Sequence, residues 1–225
     1  ENALTGQISW FENTTSILVP AAYKNYRFWR NTSVASLGAG QTATLPAGTL
    51  GYEWDWEQPA YAVNNPSGRF TLSSTTVTGK THKLSLYRHS SGALVFGAGT
   101  IQWSWGLDGT HDRGVSTPSV IMQQATVNLF ADMGVQPATL QAGLVAATAS
   151  TDLTPPASVI TFPANGANLA PNVAVTITGT ASDANVVAGI EVSVDGGTTW
   201  KPANGTTNWT FSWTPTAPGT VTIKV

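Results

Sequence analysis

The chain has 225 residues, a formal net charge of −2 and only 10% charged residues, against roughly 25% in an average soluble protein. Its ten basic residues are scattered, so nucleic-acid binding has no electrostatic basis, and no run approaches the ~18 apolar residues that cross a bilayer. There is no cysteine, which removes a disulfide framework, a thiolate nucleophile and Cys-ligated zinc.

Residues 1–6 lack the basic and apolar regions of a signal peptide, so any export signal is expected upstream. Ile8, Trp10 and Phe11 predict an extended segment, Asn13, Thr14 and Thr15 a turn, and residues 17–19 a further apolar stretch. Ala22, Tyr26 and Trp29 fit one helical face or an extended run equally well, and the reading of residues 21–29 stays open. Residues 32–48 carry Gly38, Gly40, Pro46 and Gly48 and read as a loop with one short strand at 42–45. Residues 50–57 alternate aromatics with acids, so a strand there sets Tyr52, Trp54 and Trp56 on one face and Glu53, Asp55 and Glu57 on the other.

Residues 83–88 and 93–97 form the clearest predicted hairpin, turning at Ser90-Ser91-Gly92. His82 and His89 flank its first strand and are expected to be exposed. Gly97 and Gly99 then take the chain out of the strand abruptly, which suits the border of a cleft. The strongest predicted helix is 118–133: Thr117 is placed to cap it, Pro118 suits its first turn, and Met122, Ala125, Thr126, Leu129, Phe130 and Met133 line one stripe before Gly134. A strand, a Gly-rich exit and a closing helix suggest the last part of an α/β domain.

Residues 138–158, with Pro155-Pro156 and few large side chains, read as a Thr/Pro-rich linker. From 159 to 225, short alternating segments separated by turns such as Asp195-Gly196-Gly197 predict an all-β immunoglobulin-like sandwich. About 70 residues are fewer than the ~100 usual for that fold, so the module is expected to be truncated. The expected division is therefore 1–137, 138–158 and 159–225.

The strings Leu50-Gly51-Tyr52-Glu53-Trp54-Asp55 and Val95-Phe96-Gly97-Ala98-Gly99-Thr100-Ile101-Gln102-Trp103-Ser104-Trp105-Gly106-Leu107-Asp108, followed by the 118–133 helix, resemble the C-terminal region of bacterial proteins related to the N,N-dimethylformamidase large (beta) subunit. The resemblance implies a partial α/β domain of the class I glutamine-amidotransferase type, followed by an Ig-like domain for which residues 190–200 are the matching stretch. It also implies a mononuclear iron amidohydrolase whose metal is held by tyrosine and glutamate side chains. Only Glu53 answers to that ligand set here; the tyrosines would lie before residue 1. The implied partners are upstream domains of the same polypeptide.

Four groups of residues invite a functional reading. Glu53 and Asp55 form a carboxylate pair able to bind a metal or share a proton, or else a solvated strand face. Trp103 and Trp105 follow the Gly-rich strand exit, are spaced to point the same way and, if exposed, offer a stacking platform for a flat ligand or sugar ring; burial in the core is the favoured alternative. His111 and Asp112 have the chemistry of a base and its orienter, but no cysteine and no Gly-x-Ser-x-Gly elbow supplies a nucleophile, so a plain polar loop is favoured. Asp183 and Asp195 lie in sandwich turns, where turn chemistry is favoured over Ca²⁺, and Trp200, Trp209 and Trp213 are expected in the core. Composition and module order together suggest a secreted or cell-surface bacterial protein, a structural or accessory fragment with no activity alone. The alternatives are a module binding polysaccharide or a cell-surface protein, and an iron-dependent amidohydrolase completed by the upstream chain.

Overall fold

Short alternating segments become short strands, and in the computed structural model, which describes residues Glu1–Val225, every strand pairing is antiparallel. The chain forms two units, Glu1–Ser150 and Thr151–Val225. In the first, the elements are α1 (Asn2–Thr5), β1 (Ile8–Phe11), β2 (Leu18–Pro20), β3 (Thr42–Thr44), β4 (Glu53–Trp56), β5 (Phe70–Thr71), β6 (Thr75–Val77), β7 (Lys80–His82), β8 (Ser85–Arg88), β9 (Leu94–Gly97), β10 (Thr110–His111), β11 (Gly114–Val115) and α2 (Val120–Asp132). They pair as β1–β4, β2–β3, β6–β7, β10–β11 and a three-stranded β5–β8–β9.

The predicted hairpin is the β8–β9 pair, in register Leu86 with Phe96 and Tyr87 with Val95. Residues 21–29 resolve into two 3₁₀ turns, Ala21–Tyr23 and Arg27–Trp29, neither a helix nor a strand. They bury Tyr23, Phe28 and Trp29 beside Ile17, Val19, Leu50, Trp54, Leu72 and Leu84 in one core. The Trp29 indole N–H is satisfied within it, donating to the Leu72 carbonyl at 3.0 Å.

The expected helix is α2, two residues shorter at its start. Ser119 caps it in place of Thr117, its hydroxyl accepting from the Met122 N–H. Met122, Ala125 and Leu129 enter the core as expected, whereas Phe130 and Met133 are exposed. The helix is buried on more than its apolar stripe, because Gln123, Gln124 and Asn128 are buried as well. Their amides satisfy loop backbone: Gln124 exchanges both hydrogen bonds with Val145, and Asn128 donates to the carbonyls of Phe28 and Arg30. Arg30 grips Asp132 through both carboxylate oxygens, at 2.9 and 3.0 Å, and also donates to the Asn128 and Thr148 carbonyls. Residues 138–150, the first part of the expected linker, therefore lie in the first unit, with Ala147 buried against Val127 and Ala131.

This architecture corrects the expectation of an α/β, amidotransferase-like layer. Such a layer needs parallel strands joined by helical crossovers, and here neighbouring strands run antiparallel and are linked by turns and 3₁₀ segments. One long helix following a strand and a Gly-rich exit imitates the end of a βα unit, but no parallel strand follows it to complete one.

The second unit holds β12 (Ala157–Phe162), β13 (Val175–Ser182), β14 (Glu191–Val192), β15 (Lys201–Pro202), β16 (Asn204–Gly205) and β17 (Asn208–Trp213). One sheet runs β12–β13–β17–β16; the other pairs β14 with β15, and Lys224 adds a bridge to Ser193. Ile177, Val187, Ile190, Val192 and Trp209 fill the space between, with Trp213 packed at the margin. That is an Ig-like β-sandwich.

Candidate functional site

Strand β4 is the centre of the acidic string. It pairs on one side with β1, setting Ser9 opposite Asp55 and Phe11 opposite Glu53. On its other side the Gly-rich exit from β9 completes the ladder: Asp55 N–H donates to the Gly99 carbonyl at 2.8 Å, and Trp54 bridges Thr100. Gly99 has φ of +59°, and a Cβ there would press against His82 and Gln7, so the exit closes on the core instead of bordering a cleft.

The predicted two-faced strand is observed in part. Trp54 is fully buried, and Trp56 is half-buried against Trp10. The acidic face is not freely solvated. Glu53 and Asp55 are half-buried, Ser9 Oγ donates to Glu53 at 3.1 Å, and Ser9 N–H donates to the Glu1 carboxylate at 3.3 Å. Burial, then the like charges of Glu1 and Glu53, push the Asp55 carboxyl up to about 6. The third acid, Glu57, has another role. Burial opposes its ionisation, but Lys83 at 2.7 Å and the Arg69 guanidinium outweigh that and hold its carboxyl below the ordinary value.

Of the iron ligands implied by the resemblance, this chain holds Glu53 alone, beside Ser9, Asp55 and Glu1. Glu53 is one oxygen donor beside a serine and two further acids, and no group of three or more His, Asp or Glu side chains is arranged to hold a metal ion. A mononuclear centre needs several ligands converging on one point, so no catalytic step is derived through it.

Trp103 and Trp105 lie in the 3₁₀ turn Trp103–Gly106, not on a strand. At about 120° per residue, neighbours two apart point in different directions. Trp103 packs edge-on against Phe96 beside Phe28. Trp105 has His111 stacked on it, ring centroids 4.0 Å apart and planes 9° from parallel, and the Gly48 backbone lies against its six-membered ring. The two indoles therefore do not make one platform.

His111 and Asp112 do not form a pair. Asp112 is exposed and 3.8 Å from Arg113, while His111 Nε2 lies 3.0 Å from Ser116 Oγ across the β10–β11 hairpin. Ser116 was not singled out by sequence; only hairpin closure brings it to the imidazole. Its hydroxyl is within 3.2 Å of the Trp105 carbonyl, and no buried acid orients His111, so the contact anchors the hairpin to the 3₁₀ turn. His82, expected to be exposed, is fully buried, and its Nε2 donates to the Ala98 carbonyl at 2.9 Å. His89 is exposed as expected.

In the sandwich, both Asp195 oxygens are engaged: the Ser193 and Thr199 hydroxyls and the Thr198 and Thr199 N–H groups all donate to them. This is turn chemistry, with the carboxylate already saturated by donors.

The chain thus joins an antiparallel body with an acidic strand face to an Ig-like sandwich. The family described as N,N-dimethylformamidase beta subunit-like, C-terminal, matches residues 1–116, and the bacterial Ig domain matches residues 156–225. The chain belongs to the N,N-dimethylformamidase beta subunit-like family and carries a bacterial Ig domain. Curated proteins and solved structures yield no match.

Proposed function

We propose that this chain is the accessory C-terminal part of a secreted, multidomain dimethylformamidase-like protein, with no catalysis of its own. The first unit would serve as a structural wall for neighbouring domains and the Ig-like unit as a spacer. The observation that carries the reading is that Glu53 alone answers to the implied iron ligands in this chain, where it sits beside the Ser9 hydroxyl and the carboxylates of Glu1 and Asp55. Low charge, abundant Thr, Asn and Gly and the appended sandwich module support export, since such a neutral surface suits extracellular modular proteins.

The test is metal analysis and an amide-hydrolysis assay with N,N-dimethylformamide on the purified chain reconstituted with ferrous iron. The expected result is no stoichiometric iron and no formate release. Iron bound one to one and lost in Glu53→Ala, or turnover that the same substitution removes, would overturn the reading in favour of a self-sufficient amidohydrolase.

A further inference from the structure

The sandwich contains the tetrapeptide Pro-Ala-Asn-Gly twice, at Pro163-Ala164-Asn165-Gly166 and at Pro202-Ala203-Asn204-Gly205, and these hold the only Asn-Gly pairs of the chain. The fold treats the two copies differently. Asn165 and Gly166 lie in an exposed turn between β12 and β13, closed by one hydrogen bond from the Ala167 N–H to the Ala164 carbonyl at 3.1 Å. No hydrogen bond engages the Asn165 amide or the Gly166 N–H. A Cβ built on Gly166 would meet nothing within 4 Å, so the turn is open on that side. The second copy belongs to a ladder. Asn204 and Gly205 form β16, in register with Thr210 and Trp209 of β17, and the Asn208 carbonyl closes over Gly205 where a Cβ would collide with it. Trp209 is fully buried, which anchors that register in the core.

We propose that Asn165 is a modification site, converted by spontaneous deamidation with water as the only co-reactant, and that the sheet protects its twin, Asn204. The Gly166 main-chain nitrogen gives up its proton and attacks Asn165 Cγ, and the new C–N bond closes a cyclic imide. The Cγ–Nδ2 bond breaks, and that nitrogen takes up a proton and leaves as ammonia. Water then opens the imide. Addition at Cγ gives aspartate, whereas addition at the main-chain carbon gives isoaspartate, with the main chain running through the former side chain. On either route one amide and one water become one carboxylic acid and one ammonia, and the chain, formally at −2, becomes one charge more negative. Ring closure needs rotation about the Asn165 Cα–C bond to bring the Gly166 nitrogen onto Cγ, and glycine has no Cβ to obstruct the approach. At Asn165 that rotation disturbs one turn hydrogen bond at an exposed site. At Asn204 the same rotation pulls β16 away from β17, so it waits on local opening of the sheet.

The experiment incubates the full chain in mildly alkaline buffer, folded and in urea, and follows each asparagine by peptide mapping and mass spectrometry, with isoaspartate separated from aspartate by its elution. In urea the two identical tetrapeptides are expected to convert at similar rates. In the folded protein Asn165 is expected to convert at least about tenfold faster than Asn204, the factor set by an opening cost of about 1.4 kcal/mol for the ladder. Isoaspartate alongside aspartate at position 165 marks the imide route. Asn165→Gln, whose longer side chain disfavours ring closure, is expected to abolish conversion there and leave Asn204 unchanged. Equal rates at the two sites in the folded protein, faster conversion at Asn204, or conversion of Asn165 in urea alone would each overturn the proposal.

Discussion

The side-chain amide of Gln7 makes both bonds of a strand ladder with the backbone of Lys83, its Nε2 donating to the Lys83 carbonyl at 2.8 Å and its Oε1 accepting the Lys83 N–H at 2.9 Å. Gln7 is fully buried, so these bonds satisfy two main-chain groups that water does not reach. Gln7→Ala leaves both unsatisfied and is expected to lower stability by about 2–4 kcal/mol, each orphaned group costing roughly 1–3 kcal/mol. Gln7→Glu keeps the acceptor but removes the donor and is expected to be at least as damaging at neutral pH. Urea unfolding followed by tryptophan fluorescence measures both. A change under 0.5 kcal/mol in Gln7→Ala, by order of magnitude that of an ordinary surface substitution, would refute the role.

His82 gives the first unit a dependence on acid. Burial holds its imidazole down to about 4, from an ordinary value of 6.5, and with Nε2 donating to Ala98 the other nitrogen, Nδ1, is buried without a partner. The folded protein therefore binds this proton less readily than the unfolded chain. The stability tied to neutral His82 is full above about pH 6.5 and is lost as pH falls toward about 4, a change of roughly 3 kcal/mol. Asp55, raised from 3.8 to about 6, works in the opposite sense: its contribution is full below pH 3.8 and is lost as pH rises through about 6. Solvent still reaches Asp55, so its effect is expected to be the smaller. Relative to wild type, His82→Gln is expected to flatten the loss of stability between pH 6.5 and 4, and Asp55→Asn to steepen it. Chemical denaturation across that range decides, and identical slopes in all three proteins would sink the assignment.

Much of the strand order is visible in the sequence because burial follows alternation. The β8–β9 hairpin has Leu86 and Phe96 in register on one face, and its turn glycine, Gly92, has φ of +90°. The existence of α2 is visible for the same reason, but its buried side is not. Gln123, Gln124 and Asn128 are types normally found at the surface, and each is buried because its amide meets loop backbone that cannot be located from sequence. The Trp103/Trp105 pair misleads for a related reason. Spacing of two implies one face only on a strand, and nothing local marks residues 103–106 as a 3₁₀ turn. Glu53 and Asp55 do share a strand face, but the like-charged Glu1 beside them depends on how α1 leads into β1.

Trp105 illustrates what that turn does. With His111 stacked on it and Gly48 close to its six-membered ring, its indole ties the hairpin to the loop before β4. Trp105→Ala is expected to destabilise the first unit by about 2–3 kcal/mol, below the 3–5 kcal/mol of a fully buried aromatic because the ring is partly solvated. Binding to soluble polysaccharides, measured by affinity electrophoresis, is expected to be no different from wild type. Retardation by a polysaccharide that the substitution abolishes, with unfolding unchanged, would restore the ligand-binding reading.

In the sandwich, Gly179 of β13 lies directly across from Trp209 of β17, and the indole occupies the space a side chain at 179 would take. A Cβ at that position would collide with Trp209 Cζ2 and with the Val159 carbonyl of β12, so neither neighbouring strand can yield alone. Trp209 is itself among the largest fully buried side chains of the chain. Gly179→Ala must therefore displace the ring or separate β12 from β13, and a loss of about 3 kcal/mol or more is expected from an overpacked core. Trp209→Ala removes the ring that leaves no room, at a cost of about 3–5 kcal/mol for the cavity. The double variant is expected to lose less than the sum of the two, because the clash with the ring has gone while that with the Val159 carbonyl stays, and this coupling separates a steric conflict with Trp209 from a general weakness of the sheet. Thermal unfolding of the four proteins, read in the near-ultraviolet signal of the sandwich tryptophans, tests it: strictly additive losses would show that Gly179 is not there to make room for Trp209.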